Sequence, residues 1–116
     1  MQLIEYLYRN RYFIESGDYP NLILATKGLD GALSESFAAI GGDIFKRDRD
    51  GLVKALADTG DTSQKKQFIR YIAYNLSYQD VKPIVKELEQ LIISDKYRAA
   101  EKDAMASLIV DLKSPH

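Results

Sequence analysis

Cysteine is absent from the 116 residues of the chain. Disulfides, thiolate metal sites and cysteine nucleophiles are therefore excluded together. A chain without cysteine also suits a reducing compartment. Histidine is nearly absent: the one imidazole, His116, follows Pro115 at the end of the sequence. General acid–base catalysis needs a group held within hydrogen-bond reach of its substrate. A terminal imidazole is poorly placed for that, so neither a Ser-His-Asp triad nor a histidine-based metal site is expected.

Charge of one sign is missing too. Lysine and arginine number 16 and aspartate and glutamate 17, for a formal net charge of −1. The mixing is local: between Gly41 and Asp61, the acids Asp43, Asp48, Asp50, Asp58 and Asp61 alternate with Lys46, Arg47, Arg49 and Lys54. Nucleic-acid binders draw much of their affinity from a basic stripe. Without one, nucleic acid ranks below protein as a partner. Long hydrophobic runs are lacking as well, and none approaches the ~20 apolar residues that span a bilayer. The opening stretch MQLIEYLYRNRYF is broken by Glu5, Arg9 and Arg11. It has no apolar core region or A-x-A site of a secretory signal. The expectation is a cytoplasmic protein without a membrane segment.

Motifs that cradle phosphate or metal are not found. No G-x-x-x-x-G-K-[ST] occurs, and Gly28, Gly31, Gly41 and Gly42 do not form G-x-G-x-x-G after a strand. Asp48-Arg49-Asp50-Gly51 has a faint likeness to a calcium loop. In that register Lys46 and Ala57 occupy the first and last ligand positions, where carboxylates are required. A solvated charged turn is the better reading. Each carboxylate has a use as a helix cap or surface charge, so the expectation is a non-enzyme with no catalytic residues, no metal and no cofactor.

What is present is helical periodicity. Apolar residues form 46% and charged residues 28% of the chain, the balance of a soluble globule. A chain of this length can bury roughly 60–70% of its unfolded surface. The spacing predicts one all-α domain over 1–113, a compact antiparallel bundle of about five to seven short helices, with a frayed tail at 114–116. A weak echo of Leu52-Val53-Lys54-Ala55-Leu56 in Ile84-Val85-Lys86-Glu87-Leu88 keeps a short HEAT-like stack of helix pairs as the minor alternative.

The first helix is expected over Gln2–Glu15, with Leu3, Ile4, Leu7 and Ile14 on one face, ended by Ser16-Gly17-Asp18-Tyr19-Pro20. Periodicity does not separate strand from helix over 21–27. Pro20 at a first-turn position and the want of a partner strand favour a short helix. A third helix starts near Asp30 and carries Leu33, Phe37 and Ile40. It is expected to stop at Gly41-Gly42, since each glycine costs ~1 kcal/mol in a helix interior. A fourth covers Asp43–Asp58 with Phe45, Leu52 and Leu56 inward, kinked or split at Gly51. Ser63–Leu76 buries Phe68, Ile69, Ile72 and Leu76. Val81–Ile93, capped by Asp80 with Pro83 in its first turn, carries a stripe of Val81, Ile84, Val85, Leu88, Leu91 and Ile92. A last helix, capped by Ser94 or Asp95, runs to about Leu112 and buries Tyr97, Met105, Leu108, Ile109 and Leu112.

Two groups of side chains stand out from this scaffold. Arg11 and Glu101 project onto faces otherwise apolar. Their long stems can cover apolar surface while the charge reaches water, and Arg11 has Glu15 at i+4. The sharper alternative makes Arg11 and Glu101 a buried or partner-facing polar site. Tyrosine is abundant, at eight residues. Tyr6, Tyr8 and Tyr12 share the first helix with Arg9 and Arg11, and Tyr71 and Tyr74 flank Arg70 near Gln67. Tyrosine and arginine are enriched in protein-binding hot spots, and tyrosines also cap core edges with their hydroxyls in water. The candidate partner-binding residues are Tyr8, Arg9, Arg11, Tyr12, Gln67, Arg70, Tyr71 and Tyr74.

These features point to a protein-binding module, and within that class to a small inhibitor or immunity-type protein that occludes a toxin or enzyme. The alternatives are a nucleic-acid-associated regulator using the helix of Arg70, Tyr71 and Tyr74, and a homodimeric adaptor joined through the first helix, whose apolar residues wrap much of its circumference.

Overall fold

The structure, a computed structural model, describes residues 3–26 and 31–114. Spacing of apolar residues at three and four positions resolves there into helices alone, with no strand among the described residues. In chain order these are α1 (Leu3–Arg9), 3-10 turns at Arg11–Phe13 and Ser16–Asp18, α2 (Tyr19–Leu24), α3 (Gly31–Arg47), α4 (Arg49–Asp58), α5 (Thr62–Leu76), α6 (Lys82–Ile92) and α7 (Ala99–Lys113). The segment that could have been strand is α2, with Pro20 in its first turn. Asp30 and Gly28 fall outside the described residues, as do the side chains of Leu3, Ile4 and Leu33.

The core is built around α5, which packs against α3 and against α7. Phe37, Ile40 and Ile44 of α3, Phe68, Ile72 and Leu76 of α5, and Met105 and Leu108 of α7 are all buried. Each such side chain contributes roughly 1.5–3 kcal/mol by leaving water. The most extensive pairing is α3 with α5. Phe37 meets Phe68 edge to face, Gly41 lies against Ile72 and Gly42 against Asn75. Contacts advance together along both helices, so the two run in the same sense and α4 makes the return between them. The hairpin of α6 and α7 packs on the far side. Of the α6 stripe only Val85 and Leu88 are buried, while Val81, Ile84, Leu91 and Ile92 are half-covered.

Several expected boundaries move, each for a reason visible in the contacts. Helix α1 stops at Arg9 rather than Glu15. The Asn10 side chain donates to the Tyr6 carbonyl at 2.9 Å, beside its own N–H at 3.1 Å, and saturates that carbonyl. Arg47 then takes the carbonyls of Arg11 and Ile14, both at 3.0 Å, which draws the chain off the helical path. Ser16–Asp18 is accordingly a second turn rather than a terminator. It is closed by the Asp18 carboxylate, which accepts from the Glu15 N–H at 3.0 Å.

Gly41-Gly42 does not end α3. A Cβ at Gly41 would lie 3.2 Å from Ile72, and one at Gly42 would overlap the Asn75 amide. The pair faces α5, and its missing side chains leave room for Ile72, Phe68 and Asn75. The break falls instead at Asp48 (φ −148°, ψ 61°), whose carboxylate accepts from the Gly51 N–H at 3.2 Å. Gly51 is thus in the first turn of α4, where a Cβ would strike that carboxylate, and it neither kinks nor splits a helix. Finally, α7 begins at Ala99 and not after Ser94 or Asp95. Tyr97 donates to Asp50 at 2.7 Å and Arg98 to Asp58 at 3.0 Å, which ties this stretch to α4 in a non-helical path. Asp80 bonds the Lys82 N–H at 3.1 Å, with Val81 at the cap position itself.

Candidate protein-binding site

The N-terminal elements are too short to bury all sides. Isolated helices need ~12–15 residues to hold even marginally in water, and α1 and α2 have 7 and 6. What holds them is the end of α3. Arg47 reaches the carbonyls of Arg11 and Ile14 and pairs with Asp43 at 3.3 Å. Beside it, Asp48 accepts the Tyr19 hydroxyl at 2.8 Å. Burial of Tyr19, reinforced by the hydrogen bond to Asp48 and its negative charge, raises the phenol from 10.0 to about 12. Ile14, Tyr19, Leu22 and Ile23 supply the apolar anchor, all buried.

Clipped this way, the segment leaves a groove of about 510 Å³ between α1, the Arg11–Phe13 turn and α2. Its floor is Leu7, Ile14, Leu22 and Ala25. Tyr6 and Phe13 form its walls, and Asn10, Asn21 and Asp18 its rim. Phe13 is 81% exposed, Tyr12 64% and Tyr6 55%. A volume in the 300–1,000 Å³ range with apolar walls and a few polar groups is the size of a small-molecule pocket, so the groove takes a few side chains rather than a whole protein face.

The sequence-derived candidates divide between two places. Tyr8, Arg9, Arg11 and Tyr12 all lie in the N-terminal segment. Arg11 is not a core charge: its guanidinium stacks over Tyr8 at 4.4 Å and Tyr12 at 4.7 Å and donates to the Tyr8 carbonyl at 2.8 Å. The three side chains thus form one stacked unit beside the groove. Arg9 is exposed. On α5, Arg70 is exposed and Gln67 half-buried, but Tyr71 is turned inward. Its ring packs on Phe37 at 5.3 Å and its hydroxyl lies 3.3 Å from Ser34. Tyr74 joins Tyr78 instead, hydroxyl to hydroxyl at 2.8 Å and edge to face. That hydrogen bond, followed by the negative charge Tyr78 would carry when ionised, raises the Tyr74 phenol.

Glu101 does not join Arg11. It pairs with Arg98 at 3.0 Å and accepts the Arg98 N–H, closing the first turn of α7. Four polar or aromatic residues of the groove escaped the sequence reading: Phe13, Asn10, Asp18 and Asn21. Phe13 could have been found, since it is an aromatic residue lying off the apolar stripe of Leu3, Ile4, Leu7 and Ile14. Asn10 and Asp18 become rim groups through the break in α1, which hydrophobic spacing does not report.

Elsewhere the chemistry is sparse. Arg49 joins Glu87 of α6 and lies 3.6 Å from Asp50, and Tyr97 reaches the same carboxylate, so this cluster ties α4 to α6 and to the segment that precedes α7. Among the described residues no group of three histidine, cysteine, aspartate or glutamate side chains converges as a metal site. No helix there is long and apolar enough to cross a membrane. No protein-family model, curated protein or solved structure matches the chain.

Proposed function

We propose that this is a non-enzymatic binding module of the cytoplasm whose N-terminal groove receives part of another protein. Within that class the reading is an inhibitor or immunity-type protein that occludes a toxin or enzyme. The observation that carries the binding reading is Phe13, held 81% exposed beside Tyr6 and an apolar floor. Burying a phenylalanine is worth roughly 1.5–3 kcal/mol, so a partner that covers it gains that stabilisation. Aromatic side chains over a groove, ringed by amides, have the composition of a hot spot with its rim.

The test begins with affinity capture from the native host and continues with Phe13→Ala and Tyr6→Ala against the captured partner. Each is expected to weaken binding by about thirtyfold, the scale of a ~2 kcal/mol hot spot. Unchanged affinity in the double variant would remove the groove from the interface. The nucleic-acid reading loses support from Tyr71, whose ring is occupied by Phe37 and is not open to stack on a base. A salt titration separates the two, because phosphate contacts weaken steeply with ionic strength. Sedimentation over a range of concentrations tests the homodimeric alternative, which a monomer throughout would eliminate.

A further inference from the structure

We infer that the groove's occupant is a basic amphipathic segment of the partner, with apolar side chains on the floor and a lysine or arginine set against Asp18. This rests on the protein-binding reading above and adds the chemistry of what enters. The floor of Leu7, Ile14, Leu22 and Ala25 takes apolar side chains, and among the described residues Asp18 is the one formally charged side chain lining the groove.

No side-chain cation neutralises Asp18 among the described residues. One of its oxygens accepts the neutral Glu15 N–H at 3.0 Å, and the exposed Glu15 side chain adds a second carboxylate nearby. Neighbouring arginines are committed elsewhere. Arg11 is stacked on Tyr8 and Tyr12, and Arg47 serves two backbone carbonyls and Asp43. Arg9 is exposed but does not line the groove. Asn10 adds a neutral amide to the rim: one of its two side-chain N–H groups donates to the Tyr6 carbonyl, and its oxygen can accept from an incoming donor. One unmatched negative charge at an otherwise neutral rim is complemented by a donor-bearing cation. An acidic segment or a nucleic-acid backbone would meet like charge there.

The experiment uses the full chain and two synthetic amphipathic peptides of about four helical turns. One is patterned with leucine and lysine, the other with leucine and glutamate. Binding is read by fluorescence anisotropy near 150 mM salt, where charges beyond ~8 Å are screened. The wild-type chain is expected to bind the lysine peptide at least about tenfold more tightly, a ~1.4 kcal/mol preference. Asp18→Lys should reverse the order. Asp18→Asn keeps an acceptor for the Glu15 N–H, so it should preserve the fold by circular dichroism yet abolish the preference. Failure of the lysine peptide to bind up to about millimolar, equal affinity for both peptides, or a preference surviving Asp18→Lys would each overturn the inference. Phe13→Ala separates it from the underlying reading. Loss of affinity for both peptides with no charge preference defeats only the basic-segment inference, whereas binding indifferent to Phe13 defeats the groove itself.

Discussion

Phe13 and Phe37 are the same side chain with opposite fates. Phe37 is fully buried in α3, edge to face with Phe68 at 5.4 Å and Tyr71 at 5.3 Å. Phe13 sits on a one-turn 3-10 helix and is 81% exposed. Element length explains the difference. Helices of 17 and 15 residues, α3 and α5, present several turns to one another and bury a continuous stripe. The N-terminal pieces are single turns or little more, and they can cover only one side. The molecule therefore combines a body that spends its aromatics on packing with an N-terminal segment, clipped on by Arg47 and Asp48, that spends them on its surface.

The largest effects should separate these two regions. Phe37→Ala leaves a cavity in the densest part of the core and is expected to cost about 3–5 kcal/mol. Against a total stability of about 5–15 kcal/mol, that is a large share. Phe13→Ala should stay within about 0.5 kcal/mol, as exposed substitutions do. Urea unfolding of the two variants measures both. A Phe13→Ala loss as large as that at position 37 would mean that Phe13 is structural, and the division of the molecule would fail. The next effect concerns Gly42. Helix propensity alone makes Gly→Ala stabilising by ~1 kcal/mol, whereas overlap with Asn75 predicts a net loss of about 1–2 kcal/mol. Pairing Gly42→Ala with Asn75→Ala should recover part of that loss, as coupled neighbours do. A stabilised single variant would show that α3 and α5 are not in close approach there.

Gly42 also marks what could be read from the sequence and what could not. The helices and their inward faces were legible, because Phe37, Phe68, Ile69, Ile72, Leu76, Met105 and Leu108 recur at spacings that only a helix places on one side. The boundaries at Gly41-Gly42 and Asp48 were not. A glycine pair reads as a stop when its cost is reckoned along one helix, and its reason lies across the gap on α5. The break at Asp48 depends on a carboxylate that serves both the Gly51 N–H and the distant Tyr19 hydroxyl, a pairing that no local pattern announces. For the candidate site, tyrosine and arginine clustering named Tyr8, Arg11 and Tyr12, whose side chains the fold stacks together. The same cue misled at Tyr71, because composition does not say which way a ring faces. Asp18 and Asn10 acquire their positions from tertiary bonds made by Arg47, which lies 37 residues beyond Asn10 in the chain.

The bonds that clip the two regions together give smaller and more specific effects. Tyr19→Phe removes the hydroxyl from Asp48 and should cost about 1.5 kcal/mol at neutral pH, the low end of the range for a hydrogen bond to a charged group, because the pair is only partly buried. Its pH dependence has a definite sign. With the phenol raised from 10.0 to about 12 in the folded chain, the unfolded chain loses this proton first. The contribution is then complete below pH 10 and is lost as pH rises through 12. Wild type should lose stability over that interval more steeply than Tyr19→Phe. Parallel curves would place the Tyr19 proton elsewhere.

Of the clipping bonds, Arg47→Ala is expected to have the smaller effect on global stability, about 1 kcal/mol, since the guanidinium is partly exposed and its bonds are replaceable by water. Its local effect should be larger. Without donors for the carbonyls of Arg11 and Ile14, the short N-terminal turns lose their attachment to α3 while the α3–α5 core is untouched. Amide exchange should therefore quicken at residues 10–18 and stay unchanged at Ile69–Ala73. Lysine is no substitute, because a point charge on a flexible stem does not reproduce the planar fork that serves two carbonyls at once. Arg47→Lys should behave nearly as the alanine variant. Exchange that rises equally in both regions would show that the N-terminal segment belongs to the same cooperative unit as the core. Exchange confined to the segment, with weakened partner binding in a chain whose groove residues are all intact, would show that Arg47 acts on recognition by holding the groove in shape.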